Sequence, residues 1–241
     1  MSDKSGTSSQ VIALPQGGGA LQGIGETFSP DLFTGTGNVT VPFALPPGRN
    51  GFQPDLRLVY STGHGQGPFG LGWDLSLPEV SRKTSKGIPR YHDEASDPTE
   101  RDTFILSGAE DLVQITQSQQ GIARFRPRTE GLFAHIERVR KISDDFWRVH
   151  SRDGLVSLYG TSASAGRDPA VVANPTDPSK VCSWKLSHTT DPFGNRIDYQ
   201  YLRDRGTDGS HSWDQLYLQR IQYVDYTAGS QTRFLVSVSF I

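Results

Sequence analysis

The sequence predicts an all-β fold, an antiparallel meander of about a dozen strands, and three observations support this prediction. No long window keeps apolar side chains at helical spacing without a Gly or a Pro. Alternating apolar and polar residues, which are typical of half-buried strands, recur along the chain instead. Neighbouring runs are joined by short turns, such as Asp153-Gly154 between 146–150 and 155–159. Because parallel strands need long crossovers, these neighbours must pair antiparallel, within a coiled β-shell or a β-sandwich-like domain.

Alternation defines the predicted strands one by one. The first run, 38–45, contains Pro42, which cannot donate a backbone hydrogen bond and indicates an edge strand or a bulge. Run 132–139 is the least regular, because its Ala, His and Glu residues also suit one or two helical turns. The other predicted strands are 56–60, 73–77, 103–106, 112–116, 146–150, 155–159, 182–188, 196–202, 216–224 and 232–240.

Composition excludes several classes of protein. The 241 residues include 24 basic and 26 acidic side chains, so the formal charge of −2 gives no general attraction to nucleic acid or to an acidic membrane. Cys182 is the single cysteine, so no intramolecular disulfide or Cys-based zinc site can form, and its alternating surroundings predict a buried structural side chain. No run approaches the ~18 apolar residues of a membrane helix. The polar first ten residues lack the apolar core of a secretory signal, so 1–10 are predicted to be a disordered tail and 11–241 a single β domain.

Candidate chemical motifs fail on their spacing. The glycine-rich segment 17–25 lacks the G-x-G-x-x-G spacing of a phosphate-binding loop. The acidic loop 91–102 carries five carboxylates without the spacing of an EF-hand, so a solvated loop is the better interpretation. The six histidines form no metal-binding pattern, and no G-x-S-x-G elbow occurs. We therefore predict no catalytic, cofactor-binding or metal-binding residues.

A second glycine-rich segment, 63–73, predicts a structural turn rather than a ligand site. Gly70 and Gly72 allow the backbone to turn sharply and to pass beneath aromatic rings, while Phe69 and Trp73 are expected to anchor the turn in a core. We expect replacement of Gly70, Gly72 or Trp73 to impair folding.

Trp213 is the strongest candidate for stacking on a ligand. It lies in the polar stretch 208–214, so its ring is predicted to be exposed. Trp147 and Trp184 lie in alternating runs, and we expect both to be buried in the core.

The last run, 232–240, ends the sequence with apolar side chains on one face. Such a strand usually has neighbours on both sides. It is either an inner strand of this domain or, as we favour, part of an N-terminal piece of a longer chain, which would make the domain truncated at its C-terminal end.

The turn 191–195, Asp-Pro-Phe-Gly-Asn, carries a specific pattern. Gly194 and Asn195 supply the positive φ of a tight hairpin. Tyr199 and Tyr201 follow two residues apart, so they are expected to project from one face and to stack along the sheet. This pattern resembles an Rhs/YD repeat, in which such hairpins build a long coiled sheet.

Several further segments, in register, resemble the N-terminal region of the SpvB family, which includes the B component of insecticidal toxin complexes. The similarity extends from about residue 11 to the end of the chain. The matching segments are LPQGGGA from residue 14, IGETF from 24, TGTG from 34, PGRNGF from 47, GPFGLGW from 67 and FILSGAEDLV from 104.

The resemblance implies a structural role and a set of partners. In the toxin complexes, strands of the B component join those of a C component in a hollow β-shell that holds a toxic segment, and the B component docks to a channel-forming A component. The partners expected here are the remainder of a toxin chain or a C component, and indirectly an A component, with no nucleic acid and no direct membrane insertion. Some family members also carry a C-terminal ADP-ribosyltransferase. Its Ser-Thr-Ser and Glu-x-Glu motifs do not occur in this sequence. Ser61-Thr62 is followed by Gly63, and no two Glu residues lie two positions apart.

We therefore expect a non-enzymatic structural or delivery module of a bacterial toxin that helps to enclose or carry a toxic C-terminal cargo. The alternative is a glycan- or protein-binding β module of a virulence factor that uses Trp213 and the loops. We expect a protein made in the bacterial cytoplasm and found outside the cell without a Sec signal peptide.

Overall fold

The computed structural model of the chain describes residues 27–31, 36–85, 87–107, 111–116, 120–129, 133–142 and 144–241. The described residues form eighteen β-strands and three short 3-10 helices, and every strand pairing in this part of the chain is antiparallel. The predicted all-β antiparallel fold is therefore confirmed, whereas the predicted tail 1–10 and the glycine-rich segment 17–25 lie outside the described residues.

The strands are numbered in chain order. They are β1 Thr27–Asp31, β2 Thr36–Pro42, β3 Arg57–Ser61, β4 Gln66–Gly67, β5 Gly70–Leu71, β6 Trp73–Leu75, β7 Glu79–Arg82, β8 Phe104–Leu106, β9 Asp111–Gln114, β10 Ile122–Pro127, β11 His135–Arg140, β12 Asp145–His150, β13 Val156–Tyr159, β14 Val171–Asn174, β15 Asp177–Thr190, β16 Arg196–Asp208, β17 His211–Ala228 and β18 Gln231–Ser239. The 3-10 helices are Arg49–Gly51, Pro98–Glu100 and Ala163–Ala165.

The chain divides into two compact units. The first unit comprises the described part of Met1–Leu45 together with Asp55–Ser76, and the second comprises Pro46–Pro54 together with Leu77–Ile241. None of the helices in the described part of the chain has the length and hydropathy needed to span a bilayer.

The first unit is built on a four-stranded sheet in the order β1-β2-β3-β6. Pro42 is the last residue of β2, and β2 lies between β1 and β3, so the predicted edge position or bulge is wrong. A proline is tolerated here because the strand ends at this residue and the following N–H, that of Phe43, donates to the Leu56 carbonyl at 2.9 Å.

Eight strands of the second unit close into a ring, which we call the closed sheet. Strands β7 to β13 pair with their sequence neighbours, as a meander predicts. The ring closes because β15 pairs with β7 through Ser183–Lys185 and with β13 through Leu186–Thr190. Every strand of the closed sheet therefore has a neighbour on both of its edges.

Aromatic rings fill the interior of the closed sheet. Trp147 and Trp184 are fully buried with their ring centroids 5.8 Å apart, as their alternating runs predict. Phe104 lies 5.0 Å from Trp147 and 5.9 Å from Trp184. Because β8, β12 and β15 are not consecutive around the ring, these side chains meet across its interior.

Three long strands, β16, β17 and β18, extend the sheet beyond the ring, and we call them the outer ribbon. They have 13, 18 and 9 residues, and β16 joins the ring through His188–Thr190 of β15. Among the described residues the order β15-β16-β17-β18 does not close, so the described part of the outer ribbon ends at β18.

Candidate interaction surface

Two arginines are buried inside the closed sheet together with carboxylates. Arg82 on β7 donates to both oxygens of Asp93 and, at 2.8 Å, to Asp102. Arg138 on β11 makes a bidentate pair with Asp145, with both distances 2.8 Å, and donates to Asp93 at 2.7 Å. Both arginines are less than 5 % exposed, so their charges depend on these partners rather than on water.

Aromatic faces complete the surroundings of both guanidinium groups. The Arg82 guanidinium carbon lies 4.7 Å from the Tyr91 ring centroid and 4.9 Å from that of Phe104. The guanidinium carbon of Arg138 lies 4.8 Å from the Trp184 ring centroid and 5.0 Å from that of Phe104. Such stacking suits the planar, weakly hydrated guanidinium group.

The structure confirms a solvated position for Glu94, Asp97 and Glu100 of the acidic loop and corrects it for Asp93 and Asp102. Asp93 is buried, and Asp102 accepts hydrogen bonds from the backbone N–H groups of Arg90 and Tyr91 at 2.9 and 2.8 Å. Burial opposes ionisation of Asp93, but the hydrogen bonds and charges of Arg82 and Arg138 outweigh it and hold its pKa well below the usual range. A carboxylate that stays ionised and paired is poorly suited to proton transfer near neutral pH.

Sequence reasoning missed Arg82 and Arg138, although a signal was present. Each arginine follows a fully buried aliphatic residue, Val80 or Ile136, by two positions. Since strand side chains alternate with a period of two, an arginine at that spacing shares the inward face.

Asp191 organises the turn that carries the Rhs/YD-like pattern. Its Oδ1 accepts hydrogen bonds from the N–H groups of Phe193 and Asn195 at 2.9 and 2.8 Å, and the Asn195 amide donates to its Oδ2 at 2.7 Å. Gly194 has the predicted positive φ, at +84°. Asn195 does not adopt a positive φ, so that half of the prediction is wrong. The turn thus holds its shape through one aspartate and one glycine, and it presents Phe193 to solvent.

The structure places Tyr199 and Tyr201 in the body of the sheet. Tyr199 is buried, and the Tyr201 hydroxyl donates to the Leu186 carbonyl at 2.9 Å. Burial raises the pKa of both phenols above the ordinary value. A register shift between Gln200 and Tyr201 interrupts the regular alternation that the sequence analysis assumed.

In the first unit, Gly72 passes directly beneath an aromatic ring. A Cβ at Gly72 would lie 2.5 Å from the Tyr60 ring, and Tyr60 packs against Trp73 with centroids 5.1 Å apart. Gly70 has φ +98°, and a Cβ added there would meet no atom of the described residues within 4 Å. Phe69 does not anchor a core as expected, because it occupies the tip of the β4–β5 turn and is 42 % exposed.

Trp213 is part of the β16–β17 hairpin and is partly buried. Its indole covers Gly206, where a Cβ would lie 2.1 Å from the ring, and its Nε1 donates to Asp204 at 3.1 Å. This packing corrects the expectation of a freely exposed ring, and stacking of Trp213 on a ligand stays a prediction.

The remaining candidate nucleophile and metal-ligating groups are scattered. Cys182 is half-buried rather than fully buried as predicted, and this partial burial raises the pKa of its thiol, which disfavours the reactive thiolate. Among the described residues, no three His, Cys, Asp or Glu side chains are arranged to hold a metal ion.

The free edge of β18 is the most exposed apolar feature of the outer ribbon. Within the described residues β18 pairs with β17 on one side and has no neighbour on the other. Residues 234–241 contain no charged residue and no proline, and Leu235 is 68 % exposed. The Phe240 N–H donates to the Gln219 carbonyl at 2.9 Å, so alternation directs the N–H groups of Ser237 and Ser239 toward the free edge.

Comparison with known families gives one match over most of the chain. The family model described as SpvB, Salmonella virulence plasmid 65kDa B protein, matches residues 31–240. The mono(ADP-ribosyl)transferase SpvB of Salmonella typhimurium is 30% identical over 243 residues, which cover 89% of this chain and 38% of that protein. The SpvB protein of Salmonella dublin gives the same figures. The chain therefore spans 38% of the length of these curated relatives.

Solved structures share the fold. TcdB2-TccC3 has a TM-score of 0.70 and 31% identity, covering 92% of this chain and 11% of that chain. The N-terminal domain of effector protein SpvB from Salmonella typhimurium strain LT2 has a TM-score of 0.65 and 28% identity, covering 83% and 71%. The Tc holotoxin pore of Photorhabdus luminescens has a TM-score of 0.70 and 30% identity, covering 92% and 11%.

Proposed function

This chain belongs to the SpvB family, and from that premise we propose that it is a non-enzymatic shell module of a bacterial toxin that helps to enclose or carry a toxic C-terminal cargo. Its partners are the remainder of a toxin chain or a toxin-complex C component, and through them an A component. The structural neighbours are toxin-complex chains and the SpvB N-terminal domain, which supports a structural role within a toxin.

The observation that carries the proposal is the edge of β18. Natural sheets protect exposed edges with charged residues, prolines or bulges, because an apolar edge recruits other strands. The stretch Phe234–Ile241 has no charge and no proline, and its outward N–H groups at Ser237 and Ser239 lack a strand partner in the described chain. A further strand of a shell would satisfy these donors and cover the apolar side chains.

Two features of the residues support the proposed non-enzymatic role. The relatives are named mono(ADP-ribosyl)transferases, yet this sequence contains no Glu-x-Glu pair. The buried Arg82 and Arg138 are both paired with Asp93. The proposed role places the protein outside the bacterial cytoplasm in which it is made.

A chimera tests the shell role. The matching segment of TcdB2 is replaced by residues 27–241 of this chain, the chimera is assembled with TccC3, and protease digestion of the hypervariable C-terminal region of TccC3 is followed. We expect an assembled particle whose hypervariable region resists protease. Ser237→Pro removes an outward N–H without breaking the β17 ladder, and this change should make the region digestible.

The matched control is Ser237→Thr, which keeps the N–H and should leave protection unchanged. An assembled chimera that never protects the region, or one in which Ser237→Pro protects it as fully as the unmodified segment, would overturn the proposal. Thermal unfolding of each isolated chain shows whether a variant has lost only strand pairing at the β18 edge or has failed to fold.

A further inference from the structure

A basic groove lies on the outer ribbon, away from the buried charges of the closed sheet. Its volume is about 700 Å³, and its floor is the face formed by β16, β17 and β18, with Ala165 and Arg167 on one side. The floor includes Gln200 and Gln222, whose side-chain amides are hydrogen-bonded at 3.0 Å. Pockets of this volume accept ligands the size of a short peptide rather than a single small ion.

The charges in the groove do not balance. Asp198 accepts from Arg196 and lies 3.4 Å from Arg167, and its own side chain is only 9 % exposed. Arg167 and Arg196 remain 30 % and 34 % exposed, so each keeps donors free to face the groove. Arg233 is exposed and has no carboxylate within ion-pair distance among the described residues. Three cations therefore face one carboxylate.

The neighbouring carboxylate does not restore the balance. Asp225 accepts the backbone N–H of Arg196 at 2.9 Å and lies 3.8 Å from Arg49, so one more arginine accompanies it. An anionic group entering the groove would meet donors already held in place by Asp198, which lowers the cost of ordering them.

An aromatic side chain sets the second chemical requirement of the ligand. Tyr226 lines the groove and lies opposite Arg233 in the β17–β18 ladder. Phe234 follows Arg233 directly, so alternation directs its ring to the opposite face of the sheet. Mixed arginine and aromatic walls favour a ligand that alternates carboxylate and apolar side chains. A nucleic acid fits less well, because the chain as a whole carries a formal charge of −2 and the cationic patch is confined to one groove.

We propose that this groove binds an acidic, extended peptide segment of a partner protein, whose carboxylates pair with Arg167, Arg196 and Arg233 and whose apolar side chains pack on Tyr226. The site lies on the face of the outer ribbon, whereas the shell role depends on the β18 edge. Either can therefore fail while the other holds.

Fluorescence anisotropy of the intact chain with a labelled hexapeptide, Glu-Phe-Glu-Glu-Phe-Glu, tests the groove. We expect saturable binding that weakens with added salt, and no binding of the matched peptide in which Gln replaces every Glu. Arg233→Glu should weaken binding on the order of 10-fold, because it replaces an attraction with a repulsion. Tyr226→Ala should weaken it by roughly 3-fold through lost packing alone.

Arg126→Glu is the matched control, since it makes the same charge change at an exposed residue of β10, a strand that pairs with β9 and β11 and contributes nothing to the groove lining. It should leave the affinity within about 2-fold of the unmodified chain, because distant exposed charges are screened. Equal losses in Arg126→Glu and Arg233→Glu would mean general charge attraction and would overturn the proposal.

Two further outcomes also overturn it. One is failure of the acidic peptide to bind at all. The other is displacement of the peptide by inorganic phosphate at equal concentration, which would assign the groove to small anions. Because Arg233 is exposed, its variants should fold, and thermal unfolding of each variant verifies this.

Discussion

The closed sheet and the outer ribbon belong to the same unit but solve the problem of strand edges in opposite ways. In the closed sheet each strand has two neighbours, and the interior holds aromatic rings around two neutralised arginines. In the outer ribbon β18 has one neighbour within the described part of the chain, and none of the apolar side chains of β18 is fully buried. The closed sheet is therefore the more stable region, while the outer ribbon leaves exposed surface and backbone N–H donors available for binding.

The largest expected effect comes from breaking the buried charge cluster. Arg138→Met should lower the free energy of unfolding by about 3–5 kcal/mol, because Asp93 and Asp145 lose a buried partner. Chemical denaturation measures the change. Arg140→Met is the control, since Arg140 contacts Asp93 at 3.4 Å but is 41 % exposed, and it should cost less than about 1 kcal/mol. Equal costs would show that the closed sheet does not depend on burial of its charges.

The second prediction concerns pH at the junction of the two regions, where His188 pairs with Leu158 of the ring and with Asp198 of the ribbon. Burial, aided by the charge of Arg196, lowers the pKa of His188 to about 4 from its ordinary 6.5. The unfolded state therefore takes up a proton as pH falls below about 6.5, whereas the folded state does not until about 4. Stability is fully present above this window and falls through it by at most about 3 kcal/mol.

His188→Gln should flatten this part of the pH profile, as measured by denaturation at pH 7, 5 and 4. The exposed His211→Gln is the control and should retain the slope. An unchanged slope in His188→Gln would remove His188 as the cause.

A third prediction examines how the ribbon stabilises its own hairpin. Gly206→Ala should cost on the order of 1 kcal/mol, because the added methyl group displaces the Trp213 indole. In a Trp213→Ala background the same change should cost close to nothing, and the double-mutant cycle measures the coupling. If Gly206→Ala lowered the free energy of unfolding equally in the unmodified chain and in Trp213→Ala, the strain would come from the backbone rather than from the indole.

The smallest effect on stability is expected at the β18 edge. Leu235→Lys should change the free energy of unfolding by less than about 0.5 kcal/mol, since the side chain is 68 % exposed. It should nevertheless reduce self-association in sedimentation velocity, because a charge on an edge strand opposes pairing between sheets. Leu202→Lys, on the inner strand β16, should leave association unchanged. The reverse result would show that an exposed face, not the edge, drives contact.

Local pattern was enough to predict the hairpins and the class of the fold. The turn at Gly154 joins β12 to β13, and the turn 191–195 joins β15 to β16, as expected. Both turns depend on residues close in sequence, and the alternation on either side sets the pairing. Run 132–139 is a strand, but it begins at His135.

Other strands could not be predicted because their own residues do not encode them. The short strand β14 falls in none of the predicted runs, and β7 carries two charged residues among four. Both are strands because β15 supplies the hydrogen-bond partners along their edges. The ribbon also extends far beyond the predicted runs, since the polar residues of its tip pair with each other across the hairpin.

The sequence by itself determined the antiparallel class, the tight turns, the burial of Trp147 and Trp184 and the apolar character of the last strand, because each follows from side-chain spacing within a few residues. Tertiary structure decided the closure of the ring through β15, the burial of Arg82 and Arg138, and the grouping of Arg167, Arg196 and Arg233 in one groove. The physical reason is that edge pairing and charge neutralisation depend on partners distant in sequence, which residue spacing does not record.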